Sequence, residues 1–203
     1  MPAGLVVNPA SGKDIRRLTG KASVFDNREK LAIVKRALAG AVSGGLSHLY
    51  YMDDAHGIAH TAIAESALPR SIKVERIPTP KTSSALDTLA AAEAFSQTDC
   101  NVVMTLGGDG TNRAFVKGWR DANLIPLSTG TNNVFPVLEE ATIAGMALGL
   151  MSQGKRSMGR FIQRRKVIEL DLGSETDIAL IDAVMTSDQF IGARALLDPS
   201  SLK

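Results

Sequence analysis

The sequence predicts an α/β protein in which a doubly wound, mostly parallel sheet is followed by the start of a β-rich region. Through the first three quarters of the chain, short apolar runs alternate with helical patterns of roughly 10–15 residues, the signature of βαβ units. The apolar run at residues 102–106 is of the kind that is buried on both faces of a parallel sheet. Beyond Arg160, apolar runs follow one another without a helical pattern between them.

The predicted strands are short apolar runs that end at turn-forming residues. The first ends at Asn8-Pro9 and the third at Pro78. We predict strands over residues 5–7, 49–52, 74–77, 102–106 and 124–127. Right-handed crossovers would place every strand-to-helix loop at one edge of the sheet, where such folds bind their ligands.

Helical spacing of apolar residues separates these strands. In the first pattern the apolar positions run from Leu31 to Ala41, and Gly44-Gly45 ends it. Asp53 or Asp54 is a candidate N-cap for the second. We predict helices over residues 27–41, 56–67, 84–97, from about 112 onward, and 142–151.

The C-terminal part reads as a β-hairpin that opens a second domain. Apolar or alternating runs at 166–172 and 178–186 flank Gly173 and a polar stretch at 174–177. We therefore predict an α/β nucleotide-binding domain over residues 1–158 and a partial β-rich domain over residues 159–203. Two or three strands make a poor domain alone, so we expect this second domain to be truncated.

Composition excludes several classes of protein. The 203 residues are 44% hydrophobic and 22% charged, and a net charge of +2 is too small for general nucleic-acid or membrane binding. No apolar stretch approaches the ~20 residues of a membrane span, and the N-terminus lacks the features of a signal peptide. The single cysteine, Cys100, suits a reducing compartment. We expect a cytoplasmic protein with no nucleic-acid or membrane partner.

The strongest functional signal is the glycine-rich loop after the fourth strand. Backbone N–H groups at a helix start favour a phosphate, and Asp109 within the loop could hold Mg²⁺ or accept a proton from an attacking hydroxyl. We expect Thr111 to cap the helix and touch phosphate. The loop is neither a Walker A motif nor a Rossmann fingerprint, and the alternative is a tight turn whose glycines serve geometry only. The candidate residues are Gly107, Gly108, Asp109, Gly110, Thr111 and Asn112.

Two further polar loops follow the fifth and the first strands. Hydroxyl and amide side chains in them could bind ribose, adenine or phosphate, although either loop could also be an ordinary polar turn. Near the loop that follows the first strand, Lys13, Arg16 and Arg17 could supply positive charge for binding phosphate. The candidate residues in the two loops are Asn8, Ser11, Thr129, Gly130, Thr131, Asn132 and Asn133.

Three motifs together resemble the superfamily of NAD kinases and diacylglycerol-type lipid kinases. They are Asn-Pro-x-Ser-Gly at residues 8–12, Gly-Gly-Asp-Gly-Thr at 107–111 and Gly-Thr-x-Asn at 130–133. Longer strings are similar to the AcoX-like branch, a group of ATP-NAD kinases often linked to acetoin catabolism. These strings lie at residues 24–27, 110–114, 128–136 and 198–202.

The resemblance implies a cleft between an α/β domain and a β-rich domain. It implies that the glycines hold the donor phosphates of ATP, that Asn132 and Asn133 hold nucleotide, and that Asp109 activates the acceptor hydroxyl or orients Mg²⁺. NAD would be the acceptor. NAD kinases grip it with an Asn-Glu or Asn-Asp pair, whose nearest match here includes Asp182, our candidate acceptor-binding residue. The resemblance also leaves a homo-oligomer open.

Two alternatives to an NAD kinase remain at this stage. One is a kinase of a lipid or another small alcohol, because the Gly-Gly-Asp-Gly-Thr motif does not fix the substrate. Lipid kinases usually carry an aspartate after the asparagine of Gly-Thr-x-Asn. Here, depending on the alignment, Val134 follows Asn133 or Asn133 follows Asn132. The other alternative is a nucleotide-binding regulatory protein without catalysis.

Overall fold

The computed structural model describes residues 1–12, 26–129 and 133–185. The strands are β1 (Ala3–Val7), β2 (His48–Met52), β3 (Lys73–Ile77), β4 (Val102–Gly107), β5 (Leu124–Ser128), β6 (Ile168–Asp171) and β7 (Thr176–Ala179). The α-helices are α1 (Asn27–Ser43), α2 (Ile58–Glu65), α3 (Ala85–Ser96), α4 (Asp109–Gly118) and α5 (Ala141–Ser152). A 3-10 helix spans Arg156–Phe161.

The first five strands form one parallel sheet in the order β3-β2-β1-β4-β5. Every residue of the central strands β1 and β4 is buried, whereas the edge strand β3 is mostly exposed or half-buried. This burial follows from position, because a central parallel strand is covered by helices on both faces. The predicted α/β fold with a mostly parallel sheet is confirmed.

The helices cover both faces of the sheet. On one face, α1, α2 and α5 pack a core that includes Leu38, Ala59 and Leu148. On the other face, α3 and α4 pack a second core around Phe95 and Phe115. From β1 the chain therefore runs outward to β2 and β3, with α1 and α2 on one face of the sheet. It then crosses back through α3 to β4 and β5, with α3 and α4 on the other face.

Helices α1 and α5 lie in backbone contact. A Cβ atom added to Gly145 would lie 1.9 Å from the carbonyl oxygen of Ala37, and one added to Gly40 would lie 2.0 Å from that of Thr142. Glycine is required at both positions because no larger residue fits between the backbones. The close packing fixes α5 against α1.

The β6–β7 hairpin is antiparallel and packs on α4. Its turn is closed by the N–H of Leu172, which donates to the carbonyl of Glu175 at 2.9 Å. Val116 of α4 packs against Ile178 and Leu180 in a small third core. The predicted hairpin is confirmed, although β7 begins at Thr176, inside the stretch that we expected to be the turn.

Two predicted helix starts are wrong. Helix α4 begins at Asp109, about three residues earlier than predicted. Gly107, Gly108 and Gly110 do not adopt positive φ, so the glycines do not form the longer loop that we expected before the helix. Its N-cap is Gly108, and the hydroxyl of Thr111 does not cap it. Helix α2 begins at Ile58 rather than residue 56.

The predicted capping role of Asp54 is confirmed in part. Its carboxylate accepts from the N–H groups of Ile58 and Ala59 at 3.0 and 2.9 Å, although Gly57 occupies the N-cap position itself. Asp53 instead pairs with Lys81. No helix within the described ranges is long and apolar enough to cross a bilayer.

Candidate functional site

Three loops meet at the carboxyl ends of β1, β4 and β5. We call them the β1 loop (residues 8–12), the glycine loop (107–111) and the β5 loop (128–137, described except for 130–132). The winding direction of the sheet reverses between β1 and β4, so the first two loops lie on either side of the topological switch point. Open α/β sheets bind their ligands at this point.

Hydrogen bonds join the three loops into one unit. The Nδ2 of Asn8 donates to the Oγ1 of Thr111 at 2.8 Å, which links the β1 loop to the glycine loop. The hydroxyls of Ser11 and Thr129 lie 2.8 Å apart, and the N–H of Thr129 donates to the carbonyl of Gly107 at 3.3 Å. Each of the three loops is therefore hydrogen-bonded to the other two, and every contact joins residues that the sequence analysis had singled out.

The β1 loop is shaped by its own side chains. The N–H of Asn8 donates to the carbonyl of Leu106 and extends the β1–β4 ladder. The Oδ1 of Asn8 accepts from the N–H of Ala10 at 2.9 Å, and the Oγ of Ser11 donates to the carbonyl of Asn8 at 2.8 Å. These are local side-chain-to-backbone turns, which explains why asparagine and serine occupy the two positions.

Lys30 is a residue of this site that the sequence analysis missed. It belongs to the first turn of α1 and is fully buried beneath the β1 loop. Its Nζ donates to the carbonyl oxygens of Asn8, Pro9 and Ser11 at 3.1, 2.6 and 2.7 Å. A signal was present, since Lys30 precedes the apolar positions Ile33 and Val34 by three and four residues and so shares their buried helix face.

Close packing accounts for two of the glycines in the glycine loop but not for the third. A Cβ atom on Gly107 would lie 2.4 Å from the Oγ1 of Thr111, and one on Gly108 would lie 2.8 Å from the Oδ1 of Asn133. These two glycines allow the loops to pack closely. A Cβ atom on Gly110 would have no atom of the described residues within 4 Å, so packing among those residues does not require glycine there.

Gly110 lies in the first turn of α4, at the end of the helix that favours anions. The first amides of a helix lack intrahelical acceptors, and the helix dipole places partial positive charge there. Gly110 is exposed. The start of α4 is therefore suited to an anion such as a phosphate group.

Asp109 bridges the glycine loop and the β5 loop. Its half-buried carboxylate accepts from the N–H of Val134 at 3.1 Å and from that of Phe135 at 2.8 Å. An ionised carboxylate has about four lone-pair positions, so capacity remains for a cation or a hydroxyl. The backbone contacts orient the carboxylate.

Asn112 lies in a different place from the one we expected. It is fully buried, its Oδ1 accepts from the hydroxyl of Thr105 at 2.6 Å, and its Nδ2 donates to the carbonyl of Gly108 at 3.0 Å. Its amide is thus used inside the protein and supports the glycine loop from below. Asn133 lies at the loop junction, where its Nδ2 donates to the Oγ of Ser128 at 2.8 Å.

Asp182 is not brought into contact with the three loops. It is exposed and follows β7, and it makes no hydrogen bond or ion pair within the part of the chain that the structure describes. Other sequence candidates lie outside the described residues: Lys13, Arg16, Arg17, Gly130, Thr131, Asn132 and the strings at 24–25 and 198–202.

The hairpin is fastened to the helix that starts in the glycine loop. The Nε of Arg113 donates to the carbonyl of Ile178 at 2.6 Å, and Arg113 also pairs with the carboxylate of Asp177. Lys117, one turn further along α4, reaches the same carboxylate at 3.0 Å. The hydrogen bond from Lys117, the N–H of Ile178 and the charge of Arg113 together lower the pKa of Asp177.

Comparison with known proteins finds two matching family models. The ATP-NAD kinase N-terminal domain matches residues 4–155, and the acetoin catabolism protein X C-terminal domain matches residues 166–203. Acetoin catabolism protein X of Cupriavidus necator is 34% identical over 212 aligned residues, which cover 98% of this chain and 58% of that protein. The chain therefore spans less than two thirds of the length of this relative. No solved structure matches the chain.

Proposed function

This chain belongs to the ATP-NAD kinase family, and from this membership we propose that it transfers the terminal phosphoryl group of ATP to a ribose hydroxyl of NAD, giving ADP and NADP. The observation that carries the proposal is the meeting of three polar loops at the switch point, around the carboxylate of Asp109. The name of the Cupriavidus necator relative supports a further proposal, a role in acetoin catabolism.

In this proposal the glycine loop receives the donor phosphates. Phosphate oxygens would lie near Gly110 and would accept hydrogen bonds from amides of the first turn of α4. Asn8, Ser11 and Thr129 form the adjoining wall, together with Asn133. Phosphoryl transfer depends mainly on positioning and on neutralising charge, which such a set of loops can provide.

Asp109 is the residue that we propose for the chemistry. The acceptor hydroxyl oxygen would form a bond to the terminal phosphorus, the bond from that phosphorus to the leaving oxygen of ADP would break, and Asp109 would accept the hydroxyl proton. Bound Mg²⁺ would neutralise phosphate charge, and it is commonly held by one or two carboxylates together with phosphates. Asp109 would be the carboxylate that contributes to such a site.

We also propose that the chain divides into an α/β domain over residues 1–158 and a β-rich part over residues 159–203. The two family matches support this division, because one ends at residue 155 and the other begins at 166. Asp182 would contribute to acceptor binding from the β-rich part. Its hairpin rests on α4, which also carries Asp109, so donor and acceptor sides would share one helix.

A second candidate function is nucleotide binding without NAD phosphorylation. The observation that favours it is Ile181, which stands before Asp182 where NAD kinases carry an asparagine. This loss of an amide would weaken recognition of NAD. It leaves either a different alcohol acceptor, lipids included, or a regulatory protein that binds nucleotide.

The proposal is tested by incubating the protein with Mg-ATP and NAD and measuring NADP. We expect NADP formation, and we expect Asp109→Asn to lower kcat by at least ~100-fold while the Kd for ATP changes by less than about threefold, because proton acceptance is lost but the phosphate contacts remain. Asp121→Asn is the matched control, since Asp121 is an exposed acid beyond the end of α4.

Each result has a distinct meaning. NADP formation that Asp109→Asn leaves unchanged would remove Asp109 from the chemistry. Binding of ATP without NADP formation would favour the second candidate function. Absence of both would contradict the proposed kinase activity.

A further inference from the structure

We infer that Lys30 is the positioning residue for the phosphate side of the nucleotide site, an inference that rests on the proposed function. Lys30 is fully buried in α1, directly beneath the β1 loop. Its ammonium group donates to three backbone carbonyls of that loop within 2.6–3.1 Å. It is one of the largest fully buried side chains of the described chain.

The burial of Lys30 requires a reason. Lysine is among the residues least often buried completely, because removing its charge from water costs several kcal/mol or more. The surrounding helix face is apolar, with Ile33, Val34 and Ala37 on it, so packing on this face does not call for a charged side chain. The ammonium group is therefore explained by its contacts with the β1 loop and not by packing.

The three contacts determine which way the β1 loop faces. In a trans peptide the C=O and N–H point in opposite directions, so a carbonyl turned toward Lys30 turns the following N–H away from it. This applies to the carbonyls of Pro9 and Ser11, whose following amides belong to Ala10 and Gly12. Gly12 has a φ of 78°, a left-handed conformation that glycine adopts readily.

The same contacts place the side chains that join the loops. With its backbone held by Lys30, Asn8 reaches Thr111, and Ser11 reaches Thr129. Removal of the ammonium group would free three carbonyls beneath the loop and loosen both connections. The consequence would fall on the ligand groups that this wall contacts, which in our proposal are phosphates.

The test compares Lys30→Met with Lys35→Met in binding of ATP, ADP and AMP by calorimetry. Lys35 is the control because it lies on the same helix but is partly exposed and pairs with Glu65. We expect Lys30→Met to raise the Kd for ATP by roughly tenfold, with a smaller effect for ADP and the smallest for AMP, since each phosphate removed removes contacts with the loop. Lys30→Arg retains the positive donor and should recover part of the ATP affinity.

The outcomes separate this inference from the proposed function. Equal losses for the three nucleotides, or no loss, would overturn the role of Lys30 while leaving nucleotide binding intact. Failure of the unmodified protein to bind any of the three would overturn the proposed function, and this inference with it. Loss of affinity in Lys35→Met as large as in Lys30→Met would also contradict the inference.

A measurement on the unmodified protein covers the case in which Lys30→Met does not fold. Lys30 is fully buried with its ammonium group against the β1 loop, so an amine-directed reagent reaches it only when the surrounding structure opens, whereas Lys35 is partly exposed. We expect Mg-ATP to slow labelling of Lys30 at least about fivefold, as judged by mass spectrometry, and to leave Lys35 unchanged. An unchanged labelling rate at Lys30 under saturating Mg-ATP would overturn the inference.

Discussion

At the scale of single residues, the candidate site is built from side chains that shape their own loop and join it to another loop. Asn8 shapes its own loop with Oδ1 and joins the glycine loop with Nδ2. Asp109 fastens the β5 loop through the N–H groups of Val134 and Phe135 while it remains half-buried at the loop junction. Gly110 differs from these, because no contact among the described residues accounts for a glycine there.

This difference predicts opposite effects of two glycine substitutions. Gly110→Ala should leave the free energy of unfolding unchanged or raise it by up to ~1 kcal/mol, because alanine favours a helix and the added methyl meets nothing. The same methyl should weaken ATP binding by about tenfold by occupying phosphate space. Urea unfolding and calorimetry measure the two effects.

Gly107→Ala provides the matched comparison. Its methyl would overlap Thr111, which is held by Asn8, so we expect a loss of roughly 1–3 kcal/mol in the free energy of unfolding. A Gly110→Ala protein that is destabilised as much as Gly107→Ala would show that the open space above Gly110 does not exist.

Residue roles were the least predictable feature from sequence. The motifs identified Asn8, Ser11 and Thr111 as site residues, but their partners lie more than 100 residues away along the chain, and no spacing rule gives such pairs. Asn112 falls within the motif, yet it points into the protein. Lys30 could have been found, because a lysine on an apolar helix face is itself unusual.

At the scale of elements, α4 connects the site with the hairpin. Its first turn carries Asp109, and its next two turns carry Arg113 and Lys117, which hold Asp177 of β7. The ion pairs are partly exposed, so solvent screens them and their contribution to stability is modest. A small core around Val116 supplies the apolar part of the contact.

The pKa of Asp177 predicts a pH dependence of this contact. The hydrogen bond from Lys117, with help from the Ile178 amide and Arg113, lowers the pKa of Asp177 in the folded protein. A lowered pKa stabilises the fold above the unfolded value of about 3.9, and the contribution is lost as pH falls through the folded value. Asp177→Asn should therefore cost up to about 1 kcal/mol at pH 7 and much less near pH 3.

Urea unfolding of both proteins across this pH range measures the effect. Asp171→Asn is a suitable control, since Asp171 is an exposed acid at the end of β6 in the same hairpin. An Asp177→Asn difference that stays constant from pH 7 to pH 3 would contradict the assignment of the contact to the ionised carboxylate.

The elements themselves were largely predictable. All five parallel strands occur where apolar runs predicted them, because strand periodicity and turn residues are local signals. The hairpin was also predicted, but β7 begins at Thr176, two residues earlier than the apolar run indicated. The start of α4 was missed since three glycines suggest a longer loop, whereas here Gly107 and Gly108 serve close packing. The 3-10 helix at Arg156–Phe161 had no recognised signal.

At the scale of the whole molecule, sheet order turns separate motifs into one site. Motifs that lie about 100 residues apart in sequence meet because β1 and β4 are neighbours at the switch point. The fold class could be predicted from the alternation of strands and helices. The contact between the hairpin and α4 could not, because it depends on tertiary ion pairs such as Arg113 with Asp177.

The central claim is that the β1 loop, the glycine loop and the β5 loop bind one nucleotide together. Amide hydrogen exchange followed by mass spectrometry, with and without Mg-ATP, tests it most directly. We predict slower exchange in residues 8–12, 107–111 and 128–137 at once, with no change in the distant edge strand β3. Protection confined to one of the loops, or found only outside them, would contradict the claim.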